Sequence, residues 1–147
     1  MGKTQETGLI GHTAILNRLV QLGYEVLLPW NDTLGYDLAY LVDKEETNCE
    51  FFKFRTLEIV RIQCNVAWLS KDGSYLTFNT ATLTDRLTKK RGYHGIAEQF
   101  GVYSPDTGKI YMVSVSESGK GSEMKLRLKP AKNCQEKHVR WAQIYEF

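Results

Sequence analysis

Residues 57–69 read LEIVRIQCNVAWL, and the fold turns on how this stretch is placed. Its apolar and polar residues alternate with a period of two, the signature of a half-buried strand. Val60, Ile62, Cys64, Val66 and Trp68 share one face, and Arg61, Gln63 and Asn65 share the other. Two amide side chains two residues apart on a strand need something to face.

The preceding strand offers a partner. YDLAYLV (36–42) also alternates, with Tyr36, Leu38, Tyr40 and Val42 on one side and Asp37, Ala39 and Leu41 on the other. Asp37 is thus a carboxylate on a mostly apolar face. Such residues are rare unless paired or bound to metal. A structural ion pair and a metal site are both open at this point. If the two strands pair with these faces aligned, Asp37, Gln63 and Asn65 line one surface.

Working outward toward the N-terminus, Ile10, Ala14, Ile15, Leu19 and Leu22 fall near helical spacing. This predicts an amphipathic helix over about 8–22, with Thr7 as N-cap and Gly23 as the residue just past its end. His12 lies one turn before Ile15 and Leu16, so it points toward the protein body. YEVLLP (24–29) reads as a short strand stopped by Pro29. DKEETN (43–48) reads as a polar turn, followed by strands at about 50–55 and 57–69.

Toward the C-terminus, SKDGS (70–74) is a turn leading into the strand candidate YLTFNTATL (75–83). FGVYSPDTGKIYMVSV (100–115) is a hairpin whose SPDTG turn carries Pro, Asp and Gly. MKLRLKP (124–130) sets Met124, Leu126 and Leu128 against Lys125, Arg127 and Lys129, one face apolar and one cationic. EKHVRWAQIYEF (136–147) reads as a terminal helix. The order of elements argues for one α+β domain.

The 147 residues and the ordinary balance of 42% hydrophobic and 24% charged residues suit a single soluble domain with a normal core. The opening MGKTQETG leads into no apolar run and no stretch reaches membrane-span length, so a cytosolic protein without a membrane is expected. Cys49, Cys64 and Cys134 are too few and too scattered for a disulfide framework or a zinc knuckle, and reduced thiols are expected. The net charge of +2 hides an asymmetry: residues 1–84 carry 7 basic and 10 acidic side chains, and residues 85–147 carry 12 and 7. The densest cluster is Arg86, Lys89, Lys90 and Arg91. It reads either as a solvated loop or as a contact for an anionic partner.

Helix, hairpin and then a strand with a polar-x-polar pair form the skeleton of the PD-(D/E)xK nuclease core. The chain resembles the group I intron-associated PD-(D/E)xK endonucleases, bacterial homing endonucleases with a restriction-enzyme-like core. The resemblance is carried by GLIGHTAILNRLVQLGYEVLLPWNDTLGYDL (8–38), RIQCN (61–65), GIAEQFGVYSPDTGKIYMVSV (95–115) and KLRLKPAKNCQEKHVRWAQIYEF (125–147), nearly the whole chain. It implies an α+β restriction-endonuclease-like fold with a mixed sheet flanked by helices and a β-rich DNA-binding extension. The catalytic core is then expected at about 8–70 and the recognition and assembly elements at about 85–147.

The same resemblance implies a sequence-specific endonuclease that hydrolyses double-stranded DNA at an intron insertion site. Asp37, Gln63 and the main-chain carbonyl of Cys64 then hold Mg²⁺, a hard cation suited to oxygen ligands, while Ca²⁺ binds without supporting cleavage. Two positions depart from the family pattern. His12 stands where an acidic residue is usual, and Asn65 stands where a lysine is usual. An amide cannot carry a positive charge at any pH, and loss of one charge-stabilising group costs about 10²–10³ in rate. A site that works differently and a chain impaired in cutting are both open.

DNA contacts are expected from Arg86, Lys89, Lys90 and Arg91, from Lys125, Arg127 and Lys129, and from Lys109 in the hairpin. A single site cuts one strand, so a double-strand cut implies a homo-oligomer matched to a roughly palindromic target. This means a dimer, or a dimer of dimers held through apolar strand faces such as GVY (101–103) and YMVSV (111–115). The rival readings are a non-catalytic DNA-binding protein or repressor on a degenerate nuclease core, and an RNA or junction nuclease on the same core.

Overall fold

The computed structural model describes residues 2–49, 52–83, 90–130 and 137–147. Arg86, Lys89 and Cys134 lie outside these residues. The chain opens with helix α1 (Lys3–Gln21), which begins five residues earlier than the apolar spacing predicts. Thr7 is not its cap. Its hydroxyl donates back to the Lys3 carbonyl at 2.8 Å, a bond a threonine makes inside a helix. Gly2 occupies the N-cap, and its N–H donates to the Gln5 side chain. Gly23 ends the helix as expected, at φ +82°, where a Cβ would be strained.

Strand β1 (Val26–Leu27) leads through a short 3₁₀ turn (Asp32–Leu34) into β2 (Leu38–Cys49) and β3 (Phe52–Val66). These form one long antiparallel hairpin, with Leu38 opposite Ile62 and Tyr40 opposite Val60. The expected turn over DKEETN is therefore strand, and the expected strands at 50–55 and 57–69 are one element up to Val66. A register shift between Lys44 and Thr47 absorbs the polar run without breaking the ladder.

The remaining strands are β4 (Trp68–Leu69), β5 (Tyr75–Asn79), β6 (Ala81–Leu83), β7 (Lys90–Gly92), β8 (Gln99–Ser104), β9 (Lys109–Ser114) and β10 (Glu123–Arg127). The main sheet has the order β1-β2-β3-β8-β9, with β3 and β8 parallel and the other pairs antiparallel. The sheet that carries Asp37 and Gln63 is thus completed by the 99–114 hairpin, not by residues 8–70 alone. A second sheet has the order β10-β5-β4, and β6 pairs with β7.

Three layers result. On one face of the main sheet, α1 buries Ile15 and Leu19 against Leu38, Tyr40, Ile62 and Ile110. On the other, Phe100, Val102, Tyr111 and Val113 pack against Leu76, Phe78, Met124 and Leu126 of the second sheet. The main sheet is therefore apolar on both faces where it is covered. This corrects the expectation that GVY and YMVSV offer assembly surfaces: Val102, Tyr111, Val113 and Val115 are buried in the core. The terminal helix shrinks to α2 (Ala142–Tyr145). Backbone bridges pin Trp141 to Arg127 and Glu146 to Tyr111, which keeps the chain extended at both ends of that turn.

Candidate active site

Helix α1 meets the sheet closely because residue 11 is glycine. A Cβ there would lie 2.5 Å from Val66 Cγ2 and 3.5 Å from the Asn65 carbonyl oxygen. The missing side chain lets the helix backbone settle on the end of β3, and the next residue, His12, is carried to a cleft where β2 and β3 part.

Continuing the β2–β3 register one step beyond Leu38 and Ile62 sets Asp37 opposite Gln63. The Asp37 N–H still donates to the Ile62 carbonyl at 2.9 Å. The next ladder position is then taken by the side chain: the Cys64 N–H donates to Asp37 Oδ2 at 2.7 Å. Burial raises the Asp37 carboxyl above its ordinary range, opposed by the Cys64 amide and by His12, while Asp32 adds to the rise. The carboxylate is thus oriented by the backbone, and burial outweighs the groups that favour its charged form.

Asp37, Gln63 and His12 line one cleft of about 480 Å³, together with Pro29, Arg91 and Tyr93. The expected meeting of Asp37 with Gln63 is therefore present. Asn65 does not line this cleft. Its Nδ2 is buried without a hydrogen-bond partner, and His12 Nε2 is in the same condition. Both residues at which the chain departs from the family pattern are thus left with an unsatisfied buried nitrogen. Burial of that kind costs about 1–3 kcal/mol per group.

Cys64 is a free thiol packed into the helix-side core. Burial, with the Asp37 charge beside it, raises the thiol, and it is the Cys64 main chain that meets the site, through the N–H that binds Asp37. Among the described residues no three of His, Cys, Asp and Glu converge to hold a metal by themselves. A divalent ion here would rest on Asp37, the Gln63 amide oxygen and the Cys64 carbonyl, with the Asp32 carboxylate lining the same cleft. Backbone groups alternate along a strand, which sets that carbonyl on the same edge as the Cys64 N–H. This oxygen-rich set fits a divalent cation, and the open valence of His12 Nε2 adds a nitrogen beside it.

The alternation of residues does not reveal the neighbours that hold this end of β3. Arg61 and Glu98 are joined through both main chain and side chain. The Glu98 N–H donates to the Arg61 carbonyl at 2.9 Å, the Arg61 N–H donates to Glu98 Oε2 at 2.6 Å, and Arg61 Nε reaches both carboxylate oxygens at 3.1 Å. The guanidinium keeps the Glu98 carboxyl below its usual range. Tyr93, from the loop after β7, lies near enough to Asp37 that the carboxylate adds to the rise that burial causes in its hydroxyl. Nothing in the spacing of RGYHG signals this. Leu28 and Trp30 stand exposed on the loop after β1.

The basic residues separate into groups. Arg91 lines the cleft itself. Lys90 belongs to β7, beside Leu83 of β6. Lys125 and Arg127 lie over the Tyr75 ring, at 4.7 Å and 5.8 Å from its centroid, and Lys129 is exposed just beyond the strand. Lys109 differs, because its ammonium is paired with Glu146 at 2.8 Å.

An N-terminal helix on a mixed sheet, with an aspartate at the start of one hairpin strand facing a polar pair on the other, defines a restriction-enzyme-like nuclease core. The PD-(D/E)XK endonuclease model matches residues 2–147, and the chain belongs to that family. Its fold is also that of a solved bacterial homing endonuclease, I-Ssp6803I, at a TM-score of 0.67 and 20% identity, covering 99% of this chain and 89% of that one. No curated protein matches the chain. PD-(D/E)XK nucleases as a class use divalent metals. Among the described residues no helix is long and apolar enough to cross a membrane.

Proposed function

We propose that this chain is a sequence-specific, metal-dependent homing endonuclease that hydrolyses double-stranded DNA at an intron insertion site. The observation that carries this reading is the Asp37–Gln63 pair in the cleft, with the Asp37 carboxylate aimed by the Cys64 amide. Asp37, Gln63 and the Cys64 carbonyl would hold the cation, Mg²⁺ being the first candidate. When bound, such an ion polarises the scissile phosphate and activates water. The chain's own contribution is orientation: Asp37 is fixed by a backbone bond, and Arg91 brings a cation to the cleft. Asn65 brings no charge and does not reach the cleft, so cleavage is slow.

DNA would run along Arg91 and the 86–90 segment, with Lys125, Arg127 and Lys129 meeting phosphates or base edges. The wild-type chain would act as a homodimer or dimer of dimers on a near-palindromic target in the cytoplasm, since each cleft cuts one strand. The likeness to a homing endonuclease supports the biological setting.

Nicking of a plasmid bearing the target, with MgCl₂, tests this. Asn65→Lys should cut faster by about 10²–10³-fold, and Asp37→Ala in that background should be inactive. Equal rates for the wild-type and Asn65→Lys chains would show that this position does not limit the chemistry. Asn65, uncharged and with its amide nitrogen buried, also favours a second reading, a non-catalytic DNA-binding protein. That reading gains if Asn65→Lys stays inactive while salt-sensitive DNA binding persists.

A further inference from the structure

We propose that Trp30 is a base-stacking wedge, whose indole lies against the bases of an opened step beside the phosphate to be cut. The proposal deepens the nuclease reading above and rests on it for the presence of DNA at the cleft. What it adds is a residue that deforms the substrate.

Trp30 is 95% exposed, the most exposed of the large apolar residues described. Tryptophan is ordinarily a mostly buried residue, so an indole held this fully in water is placed for something outside the chain. Its position says where that something lies. Leu28, Pro29 and Asp32 all line the cleft that holds Asp37 and Gln63, so Trp30 stands on the rim between wall residues.

The loop is also braced. Pro29 fixes its own φ and keeps Leu28 extended. Asn31 caps the 3₁₀ turn, its Oδ1 accepting from the Thr33 N–H at 3.0 Å. Gly35 ends the turn at φ +77°, packed so closely that a Cβ would lie 3.0 Å from Ile96 Cγ2. Trp30 is thus carried on a short loop fixed on both sides, the rigid support that a wedge needs.

Chemistry selects the occupant. The stretch LPWNDTLG (28–35) contains no lysine or arginine and one carboxylate, Asp32. It has no cation for a phosphate, so the surface it offers DNA is for bases. Arg91 supplies a phosphate contact from the same cleft. An apolar wedge beside a backbone-binding cation is a combination that kinks a duplex and gains protein contact in return. A protein partner fits less well. Exposed Asn31, Asp32 and Thr33 separate Trp30 from Leu34, so the apolar surface is a point, whereas a stable protein contact takes about 800 Å² from each side. A base presents a flat face of its own and stacks on an aromatic ring whatever its identity.

The test uses the full chain in metal-free buffer, with a short duplex carrying a one-base bulge and with the same duplex intact. Binding is followed by anisotropy of the labelled DNA across a range of KCl, and by tryptophan emission. The bulge supplies a step that is already open, so the wild-type protein should bind it more tightly than the intact duplex, with quenching of its emission. Trp30→Ala should bind the bulged duplex about 5- to 150-fold more weakly, the effect of losing one stacked base. Its salt slope should be unchanged, because no phosphate contact is lost. Trp30→Phe keeps a stacking ring and should recover most of the affinity without the quenching.

Equal affinity of the wild-type and Trp30→Ala chains for bulged DNA overturns the proposal, and so does a salt slope that falls with the affinity. A changed sedimentation coefficient for Trp30→Ala also overturns it, since the indole would then serve contact between copies. If the wild-type chain binds both duplexes and Trp30→Ala matches it, this inference fails while the nuclease reading stands. If Trp30 stacks but Asn65→Lys never cleaves, this inference stands and the nuclease reading fails. A wild-type chain that binds neither duplex overturns both.

Discussion

The backbone N–H of Cys64 donates to Asp37 Oδ2 across 2.7 Å, so a carboxylate fills a position where the strand ladder would use a main-chain carbonyl. That substitution opens the sheet end. One oxygen of the Asp37 carboxylate is thereby committed to the fold, while the residue itself lines the cleft.

Asp37 is poorly solvated, and its ionised form is disfavoured chiefly by burial. Asp37→Asn keeps an acceptor for the Cys64 amide and removes the charge. In metal-free buffer near pH 7 the variant should melt about 2–4 °C higher, the shift that about 1 kcal/mol produces in a chain of this size. Because the folded carboxyl is raised above 3.8, its protonated form favours the fold. The gain should therefore vanish as acid protonates the wild-type side chain. Thermal melts across pH check this, and an unchanged or lower melting temperature at neutral pH contradicts it.

Asn65 Nδ2 is buried without a partner. Replacing a poorly satisfied polar group by an apolar one of similar shape is near neutral or stabilising. Asn65→Leu should leave unfolding free energy unchanged or raise it by up to about 1 kcal/mol, measured by urea denaturation. A loss larger than that would mean that the amide makes a bond to solvent inside the fold.

Gly11→Ala sets helix propensity against overlap. Alanine favours a helix by about 1 kcal/mol over glycine, but its methyl would meet Val66 Cγ2. Overpacking costs about 1–3 kcal/mol, so the variant should be less stable. Gly11→Ala with Val66→Ala should recover the loss. A double-mutant cycle measures the coupling, and additive effects would argue against close docking.

Asp72 closes the turn after β4. Its carboxyl is held down to about 2 by the Ser70 hydroxyl first, and then by the Ser74 hydroxyl and amide. Since the folded value is depressed below 3.8, its contribution is present above that pH and is lost as pH falls toward 2. The stability gap between wild type and Asp72→Asn should be constant from pH 7 to about 5 and close below about 3. A gap that persists at pH 2 would assign it to something other than charge.

The cations over Tyr75 and the paired Lys109 should separate in a salt titration of DNA binding. Lys125→Ala and Arg127→Ala should each lower the log–log salt slope by about one phosphate contact. Lys109→Ala should change it little, because its ammonium already faces Glu146. A larger effect at Lys109 would mean that DNA displaces Glu146.

The elements readable from the sequence are those whose signal is local. Alternation in 57–69 and 36–42 sets Asp37 against Gln63, because a shift of one residue would send every apolar side chain to the wrong face. The SPDTG hairpin and Gly23 are equally local. The long β2–β3 hairpin is less legible, since polar DKEETN looks like a turn until pairing with Phe52–Thr56 carries the ladder through it. The parallel pairing of β3 with β8 leaves no mark on either strand alone. The Arg61–Glu98 clasp and the arrival of Tyr93 at Asp37 depend on that pairing and are equally invisible. The spacing marks His12 and Asn65 as polar residues to be explained, but only the family pattern marks them as departures. That both hold an unsatisfied nitrogen is a matter of packing depth, which spacing does not encode.

The opening helix is fastened by the other end of the chain. Arg18 Nε donates to the Phe147 carbonyl oxygen at 3.0 Å, and the Phe147 N–H donates to Ile110, while Ile62 waits for Gln99 as its parallel neighbour. Synthesis proceeds from the N-terminus, so the segment holding His12, Asp37 and Gln63 leaves the ribosome long before its supports exist. Non-local pairings of this kind form slowly. A chain cut before Gln99 would therefore have these site residues without the β3–β8 pairing that supports them.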